Sequence, residues 1–253
     1  MKTLTILFVA AIMMGVGCSK SEDSENNPDK PDKPSPLPDL PDPNDVCSCM
    51  DDIIFMQYCY DNFDVNKDGK VSKIEASAVA KIDLARQEIK TLTGIGYFSN
   101  LEILNCKECH ELTTVDLSNN LKVRIGDEMF YTCSKLSKIV LPNNILEIGE
   151  SAFNNCSSLR SVTFEKGSQL KYMVEGVFCD CEALTSIEIP ASVEMIDMYY
   201  CINLANIYCY PSIPPILNDF RCKNFVLYVP SQSLEAYKNS SWSEYYSSIK
   251  TIQ

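Results

Sequence analysis

Cys133-Ser-Lys-Leu136-Ser-Lys-Ile139-Val-Leu141-Pro-Asn-Asn144 is one of five stretches in which a leucine follows a cysteine by three residues, with a branched aliphatic residue three further on. The others begin at Cys109, Cys156, Cys181 and Cys201, so the cysteines are spaced by 24, 23, 25 and 20 residues. Self-similarity at this period marks a solenoid, in which each unit buries its apolar side chains only against its neighbours. Within the unit, Leu136-x-x-Ile139-x-Leu141 sets alternate residues on one side of a short strand, and that side must face inward. Leu101-x-x-Leu104-x-Cys106, Leu112-x-x-Val115-x-Leu117, Leu159-x-x-Val162-x-Phe164, Leu184-x-x-Ile187-x-Ile189 and Leu204-x-x-Ile207-x-Cys209 read the same way.

Upstream of the cysteines, Ile125-Gly-Asp-Glu-Met-Phe130 and Ile148-Gly-Glu-Ser-Ala-Phe153 read as return segments, each a turn with a short helical piece. The third unit carries two residues in excess near Glu165–Leu170, and the last return, Ile196-Asp-Met198, lacks the Ala-Phe pair. These segments, joined to Phe-x-x-Cys-x-x-Leu, closely resemble the BspA-like leucine-rich repeats of Bacteroidetes surface proteins, over roughly residues 90–253. The fold expected is α/β, a leucine-rich-repeat solenoid forming a right-handed β/α superhelix with its short strands laddered on one face. The resemblance implies adhesion to host or bacterial proteins.

Outside the repeats, residues 1–17 read as an export signal: Lys2 precedes the apolar run Leu4–Val16, which is too short to span a bilayer. The small residues before Cys18 resemble a bacterial lipoprotein cleavage site, which implies lipidation of Cys18. Lysine and acidic residues just past it look like a surface-export signal, so the expected location is the outer membrane, exposed at the cell surface. Residues 18–46 are acidic and proline-rich with little to bury, and read as a disordered tether. The rest divides into a helix-loop-helix cap at 47–90, repeats at 91–215 and a C-terminal strand-helix cap at 216–253.

The cap at 47–90 contains Asp64-Val-Asn66-Lys-Asp68-Gly69-Lys70-Val71-Ser72-Lys-Ile-Glu75. This matches the twelve-residue EF-hand calcium loop at every constrained position. Asp64, Asn66 and Asp68 supply side-chain oxygens, Lys70 its carbonyl, Ser72 a direct or water-mediated contact, and Glu75 a bidentate carboxylate. Gly69 allows the sharp turn and Val71 should point into the core. Helices are expected over Asp51–Asn62 and Lys73–Arg86, with Ile54, Tyr58, Ile74, Ala78 and Ile82 at helical spacing. The loop has no second loop to pair with, so Ca2+ is expected to stabilise the end of the solenoid instead of switching it.

Other chemistry is thin. Cys106-Lys-Glu-Cys109-His110 matches a haem-attachment pattern, but both cysteines already have inward repeat positions. His110 is the only histidine, which leaves neither a zinc knuckle nor a catalytic triad. The ladder cysteines read as small buried hydrophobes, with disulfides weighed only among Cys47, Cys49 and Cys59. A net charge of −12 excludes nucleic acid as a partner. The chain is therefore expected to be a monomeric, non-enzymatic binder, meeting the membrane only through its lipid. The candidate binding face is Asn105, Thr114, Asp116, Lys138, Arg160, Thr163, Glu188, Asn206 and Tyr208, with Tyr199, Tyr200 and Tyr210 near its C-terminal end. A protein is the expected partner. The alternatives are a glycan, as in an accessory lipoprotein of polysaccharide uptake, and a purely structural envelope role.

Overall fold

A computed structural model describes residues 42–252; the expected signal segment, Cys18 and residues 19–41 of the expected tether lie outside the described residues. In chain order the helices and strands are α1 (Ile53–Phe63), α2 (Lys73–Ala78), β1 (Lys81–Asp83), β2 (Ile103–Asn105), β3 (Thr114–Asp116), β4 (Lys138–Leu141), β5 (Glu147–Ile148), β6 (Ser161–Phe164) and β7 (Tyr172–Met173). Then follow β8 (Ser186–Ile189), β9 (Met195–Ile196), β10 (Asn206–Cys209), β11 (Ile216–Leu217), β12 (Phe225–Val229), α3 (Leu234–Lys238) and β13 (Tyr246–Thr251).

The strands form two parallel ladders along a solenoid of about eight turns. One, the leucine ladder, runs from a bridge between Thr91 and Thr114 through β3-β4-β6, then through β8-β10-β12-β13. The other lies on the return side of each coil. It starts with β1-β2, passes Ile125, which bridges Ile148, and continues through β5-β7-β9-β11. The single laddered face expected from the sequence is thus one of two, and the short helical piece expected in each return is absent from the described repeats. The returns satisfy their backbone on the next coil instead of within a helix. Gly149 N donates to Ile125 O, Glu128 N to Glu150 O and Phe130 N to Ala152 O, each at 2.8 Å.

Between the ladders, inward positions repeat from coil to coil. Leu112, Leu136, Leu159 and Leu184 are fully buried. Phe130, Phe153 and Phe178 stack face to face, with centroids 5.4 Å apart at both steps and interplanar angles of 7° and 15°. All twelve described cysteines are free thiols. Cys109, Cys133, Cys156 and Cys181 each donate from Sγ to a carbonyl of the preceding coil (Leu84, Cys106, Phe130 and Phe153) at 3.0–3.1 Å. Cys201 and Cys222 continue the series to Phe178 O and Met198 O, at 3.3 and 3.7 Å. The cysteine is thus a small apolar spacer with one weak donor, which adds a second bond to a buried carbonyl that already accepts from a backbone N–H. Both thiols of the haem-like Cys106–His110 stretch lie in this core, while His110 Nδ1 sits 3.0 Å from Thr132 O.

At the N-terminal end, Asp52 caps α1 by accepting from Ile54 N and Phe55 N, and α1 buries Phe55 and Cys59. Phe98 packs beside Phe55 and Phe63, at 6.3 and 5.5 Å between centroids. α2 stops at Ala78, well before the expected Arg86, because Lys81–Asp83 pairs in register with β2. Ile74 is correspondingly 82% exposed, whereas Ile82 is buried on β1.

Residues 42–46 are part of the folded body, not of a tether. Val46 is buried and donates its N–H to Val71 O at 2.9 Å. Asp45, also buried, accepts from Val71 N and Cys47 N through Oδ1 and from the Tyr60 hydroxyl through Oδ2. The sequence reading missed this strap because its prolines and aspartates outweigh one valine. Val71 itself is fully buried, as expected.

At the C-terminal end, Tyr237 and Trp242 are fully buried, and their polar atoms donate to Pro211 O and Pro215 O at 3.0 and 2.9 Å. β12 does more than start a cap: with β13 it extends the leucine ladder by two rungs.

Candidate functional site

Alternation along each strand puts one set of leucine-ladder residues inside and the other on a continuous outer face. Register then aligns those outer residues across coils. Thr114, Lys138 and Ser161 form one row on β3, β4 and β6, and Asp116, Val140 and Thr163 another. On the second half of the ladder, Ser186, Asn206 and Val226 form a row, and Glu188, Tyr208, Tyr228 and Lys250 the next. Thr114, Asp116, Lys138, Thr163, Glu188, Asn206 and Tyr208 therefore share one face, with Arg160 at its edge just before β6. Asn105 does not. It lies on β2 of the return ladder, where its amide donates to Asp83 Oδ1 and its carbonyl oxygen accepts from Lys107 N, both at 3.0 Å. The Leu101–Cys106 stretch resembles a repeat strand but precedes Leu112–Leu117 by only half a period, and that offset identifies it as a return.

The sequence reading also missed Tyr228 and Lys250, because their strands were assigned to a cap. Tyr208 and Tyr228 stack with centroids 4.5 Å apart at 14°, and the Lys250 ammonium sits 5.7 Å from the Tyr228 centroid. Ring faces are thus turned toward one another and toward a cation, so the pair presents edges and hydroxyls outward. Nearby, partial burial, reinforced by the Glu188 carboxylate, pushes the Tyr210 phenol above its usual range.

Two clefts open on this face. The larger, about 470 Å³, lies at its N-terminal start and is lined by Thr91, Thr93, Gly94, Tyr97, Asp116 and Asn119 among others. The second, about 230 Å³, lies between β6 and β8 and collects Arg160, Thr163, Glu188 and Tyr208 from the expected binding residues.

The loop of Asp64–Glu75 is built from side chains bonding to backbone. Asp64 accepts from Asp68 N and Gly69 N, Asn66 from Asp68 N, and Asp68 from Lys70 N, at 2.9–3.2 Å. Glu75 reaches across, accepting from Val65 N and Asn66 N through Oε1 and from Ser72 through Oε2. Those bonds to Ser72 and to the loop's first residues hold the Glu75 carboxyl below its usual range. Gly69 takes φ +83° with open space around it, so a left-handed turn, not crowding, favours glycine there. Carboxylate, amide and carbonyl oxygens suit a hard cation such as calcium. Among the described residues no three acidic, thiol or imidazole side chains cluster at one point, and in this loop each carboxylate accepts from backbone N–H groups.

A model of the BspA type leucine rich repeat region matches residues 100–225, in six copies. Among solved structures, an internalin (inlF) from Listeria monocytogenes is 15% identical with a TM-score of 0.31, over 84% of this chain and 72% of that one. A leucine-rich repeat protein from Bacteroides ovatus is 16% identical with a TM-score of 0.27, over 70% of this chain and 61% of that one. No curated protein matches the chain. Parallel strands laddered from coil to coil on two sides, over a stretch matched by six repeat copies, make residues 100–225 a leucine-rich-repeat solenoid similar to the BspA type.

Proposed function

We propose that this chain is a non-enzymatic surface lipoprotein that binds a protein partner through the outer face of its leucine ladder. Leucine-rich repeats commonly serve as interaction scaffolds, and the fold places side chains from consecutive strands in register over a broad surface. The observation that carries the choice of a protein over a glycan is the Tyr208–Tyr228 stack. A sugar needs a broad exposed ring face to lie on, and Tyr228 is flanked by Tyr208 and Lys250, while Tyr208 has one face against Tyr228 and the other only at the narrow cleft. Tyrosine edges and hydroxyls beside Arg160, Glu188 and Asn206 suit a polypeptide surface. The lone tryptophan, Trp242, is fully buried and offers no platform either.

Export, lipidation at Cys18 and display at the outer membrane rest on the N-terminal motif. Calcium at Asp64, Asn66, Asp68, Lys70, Ser72 and Glu75 rests on donor chemistry. Bound there, the ion supplies charge neutralisation for the carboxylates and fixes the loop beside α1 and the first coil, a structural role.

The full chain, presented to a panel of extracellular-matrix proteins, bacterial surface proteins and polysaccharides, is expected to capture a protein specifically. Capture of a polysaccharide alone would replace this reading with the glycan-binding one.

A further inference from the structure

The leucine ladder is interrupted once along its length. β4 pairs with β6 and β8 pairs with β10, but no hydrogen-bonded rung joins β6 to β8 among the described residues. The interruption coincides with the longest coil. Val162 to Ile187 spans 25 residues, against 24 from Val115 to Ile139, 23 from Ile139 to Val162 and 20 from Ile187 to Ile207. The excess is taken up in a turn just after β6, where Ser168 N donates to Glu165 O at 3.1 Å and Gly167 takes φ +79°.

Opening the rung uncovers core. Val115, Ile139, Ile187 and Ile207, the inward residues of neighbouring strands, are at most 3% exposed. Val162, their equivalent on β6, is only half-buried, and so is Phe164. Both line the 230 Å³ cleft, whose rim carries Arg160, Glu188 and Tyr208. Val162, Phe164 and Ile187 thus give an apolar patch within an otherwise polar cleft, at a volume below that of sites for drug-sized ligands.

We propose that this open rung is the anchor point for the protein partner. It takes one apolar side chain from an extended segment, with a neighbouring acidic residue of that segment paired to Arg160. The inference rests on the protein-binding reading above and specifies its site. Width excludes insertion of a whole strand. β6 and β8 still approach within 8 Å, Cα to Cα, whereas a strand between them needs about 9.6 Å, twice the interstrand spacing. Charge sets the flanking chemistry. In a chain of net charge −12, Arg160 and Lys138 stand on the β4–β6 side without an ion-pair partner among the described residues. Glu188 stands on the β8 side, so an acidic group is drawn toward Arg160 and repelled at the other rim. Unpaired backbone groups along β6 and β8 give the segment's main chain partners at the mouth.

A phage-displayed library of random dodecapeptides, selected on the full chain, tests this directly. Enriched peptides are expected to carry an apolar residue within two positions of Asp or Glu. They should bind Ser186→Trp, which fills the cleft from an exposed position, and Arg160→Glu at least tenfold more weakly than the unmodified chain. Lys81→Glu, on the return ladder, should bind them unchanged. Circular dichroism matching the unmodified chain establishes that the variants fold; if Ser186→Trp does not, Thr163→Trp fills the same cleft from β6. Peptides that bind Ser186→Trp and Arg160→Glu at full affinity, or no enrichment at all, overturn the open-rung site. Protein capture in the panel that survives both substitutions leaves the protein-binding reading standing without it, and no protein capture by the unmodified chain sinks that reading itself.

Discussion

Removing the middle ring of the phenylalanine stack is expected to cost more than removing either end ring. Phe153 lies between Phe130 and Phe178, and all three are fully buried. Truncating a buried phenylalanine to alanine costs about 3–5 kcal/mol, combining lost transfer energy with the cavity left behind. Ring–ring contact adds about 0.5–1.5 kcal/mol per pair beyond area burial. Phe153→Ala loses two such pairs and Phe130→Ala or Phe178→Ala only one, so the middle substitution should exceed the others by about 0.5–1.5 kcal/mol. For a folded body of this size about 4 kcal/mol corresponds to a Tm drop of roughly 8–16 °C. Equilibrium urea unfolding of the full chain, with the slope m unchanged, measures the differences. The two end substitutions combined should depart from additivity by about 0.5 kcal/mol or more, since Phe153 is the stacking partner of both. A loss at Phe153 equal to or below that at the ends refutes the view that stacking, and not mere bulk, organises the core.

Three further outcomes are expected. Calcium should raise the melting temperature of the full chain, by the equivalent of about 2.7 kcal/mol at a hundredfold excess over Kd, and Asp64→Asn with Glu75→Gln should abolish the rise; a melting curve indifferent to calcium and to chelator removes the structural-calcium reading. Stability should fall as pH climbs above 9.0. Burial pushes the Cys209 thiol from 9.0 up to about 12, so the unfolded chain releases its proton first and folding is progressively penalised between those values; urea midpoints flat from pH 8.5 to 10.5 would contradict this. Asp45→Ala should strip bonds from Val71 N, Cys47 N and the Tyr60 hydroxyl, costing about 1–3 kcal/mol or more and releasing residues 42–50 to hydrogen exchange. Unaltered protection of Val46 N would show that the strap holds by other means.

The inward residues of the leucine ladder were legible because each obeys two rules at once, alternation along the strand and recurrence at the coil period. Leu136, Ile139 and Leu141 satisfy both and are fully buried. The return ladder was not legible as strands. β5, β7, β9 and β11 have two residues each, too few to show alternation, and Ile-Gly-Glu-Ser reads equally well as a turn. Asn105 was misplaced for the same reason: its strand borrows the Leu-x-x-Leu spelling while sitting half a coil out of phase. The outer face followed from alternation, so eight of its nine expected residues fall together once Arg160 at its edge is included. The open rung was visible only as two surplus residues near Glu165–Leu170, because a length irregularity does not say which side of the coil gives way.

From β3 onward, where one ladder is thin the other is whole. The return ladder thins to the single bridge at Ile125 beside the step where β3 and β4 pair in full, and it runs unbroken through β5-β7-β9 beside the gap between β6 and β8. At the N-terminal start the lone Thr91 bridge faces a return step held by Arg124 N donating to Glu102 O at 3.1 Å, and at the far end β12-β13 continues after β11 has stopped. From β3 onward the joints are staggered as in coursed masonry, so no plane cut across the long axis there meets weakness on both sides. A crack starting at the gap would have to pass through the β7-β9 course to split the body. The wall can therefore hold an opening in one face without losing its bond, and heat should bring the coils from β3 onward down in one transition and not course by course.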